Sequence, residues 1–406
     1  MYIYKAAVIG AGAMGAEIAQ TLSYAEIPVF LKDLDEALIR QGLKRAQQIY
    51  ERRVEKGKMT PEELAKKMSL IQPTIRYSDL KEVDIVIEAV VENMETKKKV
   101  FQELDRACPE SCILASNTSS LSISEIGAST RRPEKVIGMH FFYPPHVMKL
   151  VEVIPSLDTS EETVTDVIAF SETLRKLPIR VNECAGFLVN RLLMPYLNEA
   201  AYALGEGSAT IPEIDHAMAD FGFPMGPFTL VDTVGLDVCH SVVQILLQDY
   251  GERMRPADLW DPLYQAGRYG IKRKKGFYTY GEKIEVDQEV TTLIQKSSQK
   301  KAAPQQSFSV ERMLLPMINE AALCLQEGVA SAADIDLAML AGLGFPQEKE
   351  GILHYADQVG VDHILRELET WSRRFGQRFW PAPLLRRMVR ANHLGVKTKK
   401  GFFEYA

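Results

Sequence analysis

Residues 5–25, KAAVIGAGAMGAEIAQTLSYA, decide the fold of this chain. A short apolar run leads into the pattern G-x-G-x-x-G, formed by Gly10, Gly12 and Gly15, and a helix-like stretch follows. The first glycine allows a tight turn, the second lets a pyrophosphate approach the backbone, and the third lets helix and strand pack closely. The N–H groups at the start of such a helix attract the anion. The stretch therefore predicts a strand, a phosphate-binding turn and a helix.

An acidic residue supports the nucleotide interpretation of this turn. Asp33 ends the next apolar run, 23 residues after Gly10, and no arginine follows it in Leu34-Asp35. An acid at this position accepts ribose hydroxyls and repels a 2′-phosphate, which favours NAD over NADP. The alternative is a structural turn that binds no phosphate. We predict an NAD site whose turn consists of Gly10, Ala11, Gly12, Ala13, Met14 and Gly15.

The rest of the N-terminal half extends the same architecture. Through residues 1–155, short runs rich in Val and Ile alternate with helical patterns. This alternation is typical of an α/β fold with a doubly wound, Rossmann-type parallel sheet. Residues 160–176 predict one more amphipathic helix, and LPIRVNE at 177–183 predicts a short strand. From Gly186 onward the patterns are almost entirely helical.

The helical part is duplicated. The segment that begins RLLMPYLNEAAYAL at Arg191 recurs as RMLLPMINEAALCL at Arg312, and KKGFYTY at 274–280 recurs as KKGFFEY at 399–405. The fold class is therefore a Rossmann-type α/β domain followed by two duplicated all-α domains. The predicted segments are the dinucleotide-binding domain 1–184, the first helical copy 185–281, a polar linker 282–306 and the second helical copy 307–406.

Composition narrows the class of protein further. The 406 residues carry a formal charge of −6, which argues against a nucleic-acid binder, and no apolar run reaches the ~18 residues of a membrane span. The first residues enter a strand at once, which leaves no room for a cleaved signal. The five cysteines lack paired spacing, so we expect reduced thiols in a cytoplasmic protein and no metal site.

Residues 139–154, MHFFYPPHVMKLVEVI, carry the candidate chemistry. In a strand over 150–154, Glu152 shares a face with Leu150 and Ile154, where a carboxylate is costly unless it is hydrogen-bonded. If Glu152 accepts the Nδ1–H of His140, Nε2 is left free as a base for a hydroxyl proton. Such base catalysis contributes ~10²–10⁴-fold to a rate. A buried His–Glu pair kept only for packing is the alternative.

Several long motifs resemble one family. These are SNTSS at 116–120, HFFYPPHVMKLVEV at 140–153, GFLVNRLL at 186–193, GFPMGPFTLVDTVGLD at 222–237 and KKGFYTY at 274–280. Together they strongly resemble the L-3-hydroxyacyl-CoA dehydrogenases of fatty-acid β-oxidation. The resemblance covers residues 5–281 and, through the repeat, most of 307–406. It implies NAD-dependent, reversible oxidation of L-3-hydroxyacyl-CoA to 3-ketoacyl-CoA.

The resemblance also implies roles for individual residues. It makes His140 and Glu152 the catalytic pair, with Ser119 and Asn190 holding the substrate oxygens. The implied NAD contacts are Glu92, Lys97, Ser119, Tyr143 and Lys272, and the implied CoA contact is Lys56. Independently, Asn190 shares a predicted helix face with Phe187 and Met194, and an amide in this apolar setting needs a hydrogen-bond partner. An ordinary asparagine of a helix core is the alternative.

Two features bear on the substrate. Residues 40–67 carry nine Lys or Arg against four Glu and predict two helices. If these basic helices lie near a cleft, their positive charge suits the phosphates of CoA. The alternative is that the charges form an ordinary solvated helix surface. Tyr143 stands where the family usually has Asn, and the Pro144-Pro145 that follows is similar to the L-gulonate 3-dehydrogenases, which act on a sugar acid without CoA. A non-catalytic dinucleotide-binding protein is a third hypothesis.

The second helical copy departs from the first at the implied site. GFLVNR becomes SFSVER, so that Ser307 replaces the glycine and Glu311 occupies the position of Asn190. We therefore predict one active site per chain. In one-copy relatives this domain makes the dimer contact, so the second copy is expected to pack on the first within the chain, and self-association stays open.

Overall fold

The structure, a computed structural model, describes residues 2–298 and 308–406. Its contacts divide the chain into two compact units, Met1–Phe187 and Leu188–Ala406. The first unit contains the predicted dinucleotide-binding domain, and the second contains both helical copies. Each unit is described on its own below.

The first unit alternates strands and helices as the sequence predicts. Its elements are β1 Ala6–Ile9, α1 Ala13–Tyr24, β2 Val29–Lys32, α2 Glu36–Glu55, α3 Pro61–Ser69, β3 Ile71–Thr74, β4 Ile85–Glu88, α4 Met94–Ala107, β5 Ile113–Ser116, α5 Ile123–Gly127, β6 Val136–Phe141, β7 Leu150–Pro155, α6 Glu161–Thr173 and β8 Leu177–Arg180.

The eight strands form one sheet in the order β3-β2-β1-β4-β5-β6-β7-β8. All neighbouring strands are parallel except β6 and β7, which are antiparallel. Strand β1 lies between β2 and β4, so the order reverses there and opens a crevice at the carboxyl ends of the strands. Strands β1, β4, β5, β6 and β7 are buried throughout, as expected of a sheet covered on both faces. The predicted fold class is confirmed.

Strand β3 is the element that the sequence patterns did not predict. It forms the edge of the sheet, and its Pro73 pairs with Leu31 of β2. Proline cannot donate to a ladder, so it is tolerated in edge strands and weakens the strand signal in the sequence. The two helices predicted in residues 40–67 are present as α2 and α3. Asp35 caps α2 by accepting from the N–H of Leu38.

The second unit is helical apart from one small hairpin. Its elements are α7 Val189–Gly205, α8 Ile211–Phe221, α9 Pro227–Val234, α10 Leu236–Tyr250, α11 Trp260–Gln265, β9 Tyr278–Tyr280, β10 Ile284–Val286, α12 Gln288–Ser298, α13 Val310–Gln326, α14 Ala332–Leu343, α15 Ile352–Val359, α16 Val361–Phe375 and α17 Pro383–Arg390.

The two helical copies pack against each other through α7 and α13. Arg191 of the first copy is fully buried and donates to Glu320 of the second at 2.7 Å. Its counterpart Arg312 is also fully buried and donates to Glu199 at 2.6 Å. Each copy therefore donates from a buried arginine to a glutamate of the other, which is the reciprocal pattern of a two-fold interface within a single chain.

Replacing Arg312 by methionine is expected to destabilise the second unit by about 3 kcal/mol, because it leaves the buried carboxylate of Glu199 only partly compensated, by Arg378. Burial raises the pKa of Glu199, and Arg312 and Arg378 oppose that rise by bonding its carboxylate. Calorimetric unfolding of the variant measures the loss. Arg387→Met, on the exposed side of α17, is the matched control and should unfold like the parent protein. Equal stability of the two variants would show that the pair contributes nothing.

The structure differs from the linker prediction at residues 284–298. Strand β10 pairs antiparallel with β9, and α12 follows it and buries Val290. Arg268 anchors the start of α12 by ion pairs with Asp287 and Glu289. Polar composition hid this element because its stabilising partners lie earlier in the chain. Residues 299–306 of the predicted linker, and Ser307, lie outside the described residues.

Within residues 2–298 and 308–406, no single helix has the length and apolar composition needed to cross a bilayer. One pair of consecutive helical segments, Pro227–Val234 and Leu236–Met254, meets those criteria when taken together, and it bends by 100° at the junction. All five cysteines are free, and four of them are buried.

Candidate active site

The glycine-rich turn forms a cradle at the crevice beside β1. Gly10 has a φ of +100°, and a Cβ added there would lie 2.5 Å from the carbonyl oxygen of Ala89. A Cβ at Gly15 would overlap the carbonyl oxygen of Gly10, whereas one at Gly12 would meet nothing within 4 Å. The backbone is therefore packed tightly on both sides of one open position. No acidic residue lies in the first turn of α1, so nothing there repels an anion. The turn fits a pyrophosphate.

Asp33 completes this part of the site. It follows β2, and its carboxylate accepts from the N–H of Ala11 at 2.6 Å and from the N–H of Leu34 at 2.6 Å. The side chain thus ties the glycine turn to the end of the neighbouring strand. Its position matches that of the acid which selects a ribose hydroxyl over a 2′-phosphate.

His140 and Glu152 lie directly opposite each other on β6 and β7. Cross-strand partners in an antiparallel pair place their side chains on the same face within about 5 Å. Here Nδ1 of His140 lies 2.7 Å from Oε2 of Glu152, and both side chains are buried. The rings of Phe142 and Phe187 contact the imidazole at centroid distances of 4.6 and 5.9 Å. The carboxylate therefore fixes the ring orientation and leaves Nε2 for other chemistry.

The loop after β5 carries Ser119 and is held by Glu92. Oε1 of Glu92 accepts from the hydroxyl of Thr118 at 2.5 Å, from the N–H of Ser119 at 3.0 Å and from the hydroxyl of Ser120 at 3.2 Å. Lys97 lies 3.3 Å from the other oxygen of Glu92. Glu92 and Lys97, two of the predicted NAD contacts, therefore lie beside the loop of Ser119, at the carboxyl ends of β4 and β5.

A cation-lined cavity of about 410 Å³ lies in the same unit. Its walls come from α1, α2, the loop between β6 and β7, and the end of α6, and they include Lys56 and His146. No Asp or Glu lines it. Its seven Lys and Arg side chains are Arg52, Arg53, Lys56, Lys58, Lys149, Arg175 and Lys176. This concentration of positive charge favours a polyanionic ligand.

Comparisons with known proteins agree with this geometry. Residues 5–184 match the NAD binding domain of 3-hydroxyacyl-CoA dehydrogenase, and residues 186–280 and 308–405 each match the C-terminal domain of that enzyme. The chain belongs to the 3-hydroxyacyl-CoA dehydrogenase family. Its duplicated C-terminal domain is thereby confirmed as two copies of one family domain, and the match to the NAD binding domain confirms NAD as the cofactor.

Individual members of the 3-hydroxyacyl-CoA dehydrogenase family resemble the chain over most of its length. A fatty acid oxidation complex subunit alpha of Shewanella amazonensis is 41% identical over 95% of this chain and 55% of its own length. A glyoxysomal fatty acid beta-oxidation multifunctional protein of Brassica napus is 37% identical over 94% of this chain and 54% of its own length. The chain therefore spans about half the length of these relatives.

Solved structures of 3-hydroxyacyl-CoA dehydrogenases are also similar to the chain in sequence and in fold. The 3-hydroxybutyryl-CoA dehydrogenase of Escherichia coli is 30% identical, with a TM-score of 0.87 over 96% of this chain and 99% of that chain. The (S)-3-hydroxybutyryl-CoA dehydrogenase of Ralstonia eutropha is 40% identical, with a TM-score of 0.68 over 69% of this chain and 100% of that chain.

Two predicted site residues of this 3-hydroxyacyl-CoA dehydrogenase family member lie in the second unit. Asn190 is the second residue of α7, which begins at Val189. Lys272 is ion-paired with Asp237 at 2.5 Å. The second copy repeats this pair as Lys397 with Asp362, also at 2.5 Å. Because the copy that lost Asn190 keeps the pair, a structural role is sufficient to explain the ion pair, and the NAD contact of Lys272 stays a prediction.

Sequence reasoning missed a second histidine–glutamate pair. Nδ1 of His146 lies 2.9 Å from Oε2 of Glu17, and Glu17 is buried in α1. Gln20, one turn later, lines the cavity and buries an amide oxygen that has no partner among the described residues. A glutamate in the apolar helix stretch was the available signal, but its partner lies 129 residues away.

Tyr143 lies in the loop that follows β6, and its side chain is 61% exposed. A cis peptide bond joins Tyr143 to Pro144. Among residues 2–298 and 308–406 there is no group of three or more His, Cys, Asp or Glu side chains that could hold a metal ion.

Proposed function

We propose that the chain is an NAD-dependent L-3-hydroxyacyl-CoA dehydrogenase that interconverts L-3-hydroxyacyl-CoA and 3-ketoacyl-CoA. The observation that carries this proposal is the buried bond between His140 and Glu152 at 2.7 Å, in a domain of the family that binds NAD. A second support is the cation-lined cavity, which suits a phosphate-bearing substrate. The motif GFLVNR, which carries Asn190, is present in the first helical copy, and SFSVER replaces it in the second.

The proposed mechanism assigns the proton to His140. The glycine turn and Asp33 would hold NAD, which would supply the hydride acceptor for the carbon that bears the hydroxyl group. His140 takes the hydroxyl proton at Nε2, because Nδ1 is bonded to the carboxylate of Glu152. Glu152 stabilises the imidazolium that results, and the buried setting keeps water from competing for this bond. In the reverse direction His140 returns the proton to the ketone oxygen.

Ser119 and Asn190 are the proposed contacts to the substrate oxygens. The backbone of Ser119 is fixed by Glu92, so its hydroxyl is presented from a loop that is itself hydrogen-bonded at several positions. Asn190 lies at the beginning of α7, where its amide can donate to a carbonyl. Donors aimed at a developing oxyanion stabilise the transition state more than the ground state.

The cavity is the proposed seat of the CoA phosphates. The loop between β6 and β7 begins two residues after His140 and contributes His146, Val147 and Lys149 to the cavity wall. Lys176 braces this loop by donating to the carbonyl oxygens of Pro145 and Met148. One loop therefore connects the catalytic strand with the cations. A free sugar acid has no phosphate to place there, which favours the CoA thioester over L-gulonate.

The remaining assignments follow from these. One active site per chain is proposed, because Glu311 replaces the amide of Asn190 in the second copy. Glu311 is bonded instead to His363 at 2.5 Å. A cytoplasmic location is proposed on the strength of the free thiols.

Parallel assays of substrates test the proposal. Consumption of NADH with acetoacetyl-CoA should be rapid, and reduction of NAD with L-gulonate should be slower by orders of magnitude. The discriminating feature is the phosphate-bearing end that the cavity would bind. Activity with the free acid alone would replace the CoA assignment by that of a hydroxy-acid dehydrogenase. Failure of both substrates, in protein that binds NADH, would support a non-catalytic dinucleotide-binding protein.

A further inference from the structure

The buried carboxylate of Glu88 has no role in the mechanism above, although it lies at the end of β4 beside the cofactor crevice. It is fully buried, which is costly for a carboxylate unless several groups hold it. Its Oε1 accepts from Nζ of Lys97 at 2.7 Å and from the N–H of Val90 at 2.7 Å. Its Oε2 accepts from the hydroxyl of Ser116 at 2.7 Å.

These bonds join three segments that form the site. Val90 lies in the loop after β4, Lys97 lies on α4, and Ser116 ends β5 just before the loop of Ser119. The backbone carbonyl of Glu88 also accepts from the N–H of Asn117 at 2.8 Å. The side chain of Asn117 in turn accepts from the N–H of Phe141, the residue after His140, at 2.8 Å. Glu88 is therefore bonded both to the loop that follows β4 and to the start of the loop that follows β5.

Lys97 is shared between two carboxylates. Its ammonium lies 2.7 Å from Glu88 and 3.3 Å from Glu92, and it is 1% exposed. Glu92 uses its other oxygen to hold the Ser119 loop. Without Glu88, the buried ammonium would have only Glu92 to neutralise it and would draw that carboxylate away from the loop. The charge of Glu88 thus keeps Glu92 available for Thr118 and Ser119.

We infer that Glu88 is a positioning residue of the dehydrogenase site, which sets the Ser119 loop and the Lys97–Glu92 pair without touching the substrate. This inference rests on the proposed function for its kinetic consequences. Its structural consequences, the order of the loop and the affinity for NADH, do not depend on which substrate is used.

The first test uses Glu88→Gln without any substrate. The amide keeps the shape but places an N–H₂ group and no charge next to Lys97 or Ser116. Hydrogen exchange of the amides in residues 118–121 should accelerate at least tenfold, and the dissociation constant for NADH should rise at least fivefold. Asp105→Asn is the matched control. Asp105 is a buried carboxylate on the same helix, α4, and it binds Arg131 away from this loop. This control should lower thermal stability while leaving both readouts unchanged.

The second test uses a double-mutant cycle with acetoacetyl-CoA. Ser116→Ala removes the link between Glu88 and the loop, so it should lower kcat while leaving the NADH dissociation constant nearly unchanged. Glu88→Gln should lower kcat by at least tenfold, and the double variant should lose no more than the larger single loss. Losses that multiply, or a Glu88→Gln protein with parental loop exchange and NADH affinity, would overturn the inference. If the parent protein fails to turn over acetoacetyl-CoA, the proposed function fails, and the exchange and NADH readouts still decide the role of Glu88.

Discussion

Replacing His140 by alanine is expected to lower kcat with acetoacetyl-CoA by about 10²–10⁴-fold, the usual contribution of a general acid–base. The loss arises because no other group is assigned to transfer the proton to and from the reacting oxygen. The affinity for NADH should stay close to that of the parent, because the glycine turn joins β1 to α1 and Asp33 follows β2, away from the strand of His140. Steady-state kinetics with a fluorescence titration of NADH measure both quantities.

Glu152→Gln is the companion variant for this experiment. It keeps a hydrogen-bond acceptor near Nδ1 of His140 but removes the charge that stabilises the imidazolium, so kcat should fall by less than in His140→Ala. His240→Ala is the control, because His240 lies on α10 and forms an exposed hydrogen bond with Asp261 of α11. A His140→Ala protein that folds, binds NADH and retains parental kcat would remove the proposed mechanism.

Reversing two charges in the cavity is expected to produce the second large effect. Lys56→Glu together with Lys149→Glu should lower kcat/KM for acetoacetyl-CoA by about 10²-fold or more, since each hydrogen bond to a charged group contributes ~1.5–3 kcal/mol. Both side chains line the cavity and are exposed, so the fold should be unaffected. The loss should appear mainly in KM and should shrink at high salt as the charges are screened.

A truncated substrate separates phosphate binding from any other effect of these changes. The acetoacetyl thioester of N-acetylcysteamine has the reacting group but no nucleotide, so the double variant should use it as well as the parent does. Lys44→Glu with Lys81→Glu provides the matched charge control, because neither residue lines the cavity. Equal losses with both thioesters, or an equal loss in the control, would show that the cavity is not the seat of the phosphates.

Much of the fold follows from local sequence patterns. The glycine turn and Asp33 are encoded within one βαβ unit, and the structure places them together as expected. Glu152 could be singled out because a carboxylate in an apolar strand needs a partner, and the antiparallel register sets it opposite His140. Their hydrogen bond is present, whereas their catalytic role stays a prediction. The duplicated helical domain was visible as a sequence repeat.

The parts that the sequence did not reveal depend on contacts between distant segments. The pairing of Glu17 with His146 joins residues 129 positions apart, and no local period records it. Lys176 lines the cavity from the end of α6, and burial lowers its pKa to about 8. The order within residues 284–298 depends on Arg268, which precedes that segment. Side chains gathered from several elements become visible only once the sheet order is known.

A single-turnover experiment tests the central claim most directly. The protein saturated with NADH is mixed rapidly with an excess of acetoacetyl-CoA, and both NADH and the acyl product are followed. The account predicts loss of one equivalent of NADH per chain and formation of L-3-hydroxybutyryl-CoA. Formation of the D isomer, loss of two equivalents in the first turnover, or no loss of NADH from a saturated complex would contradict it.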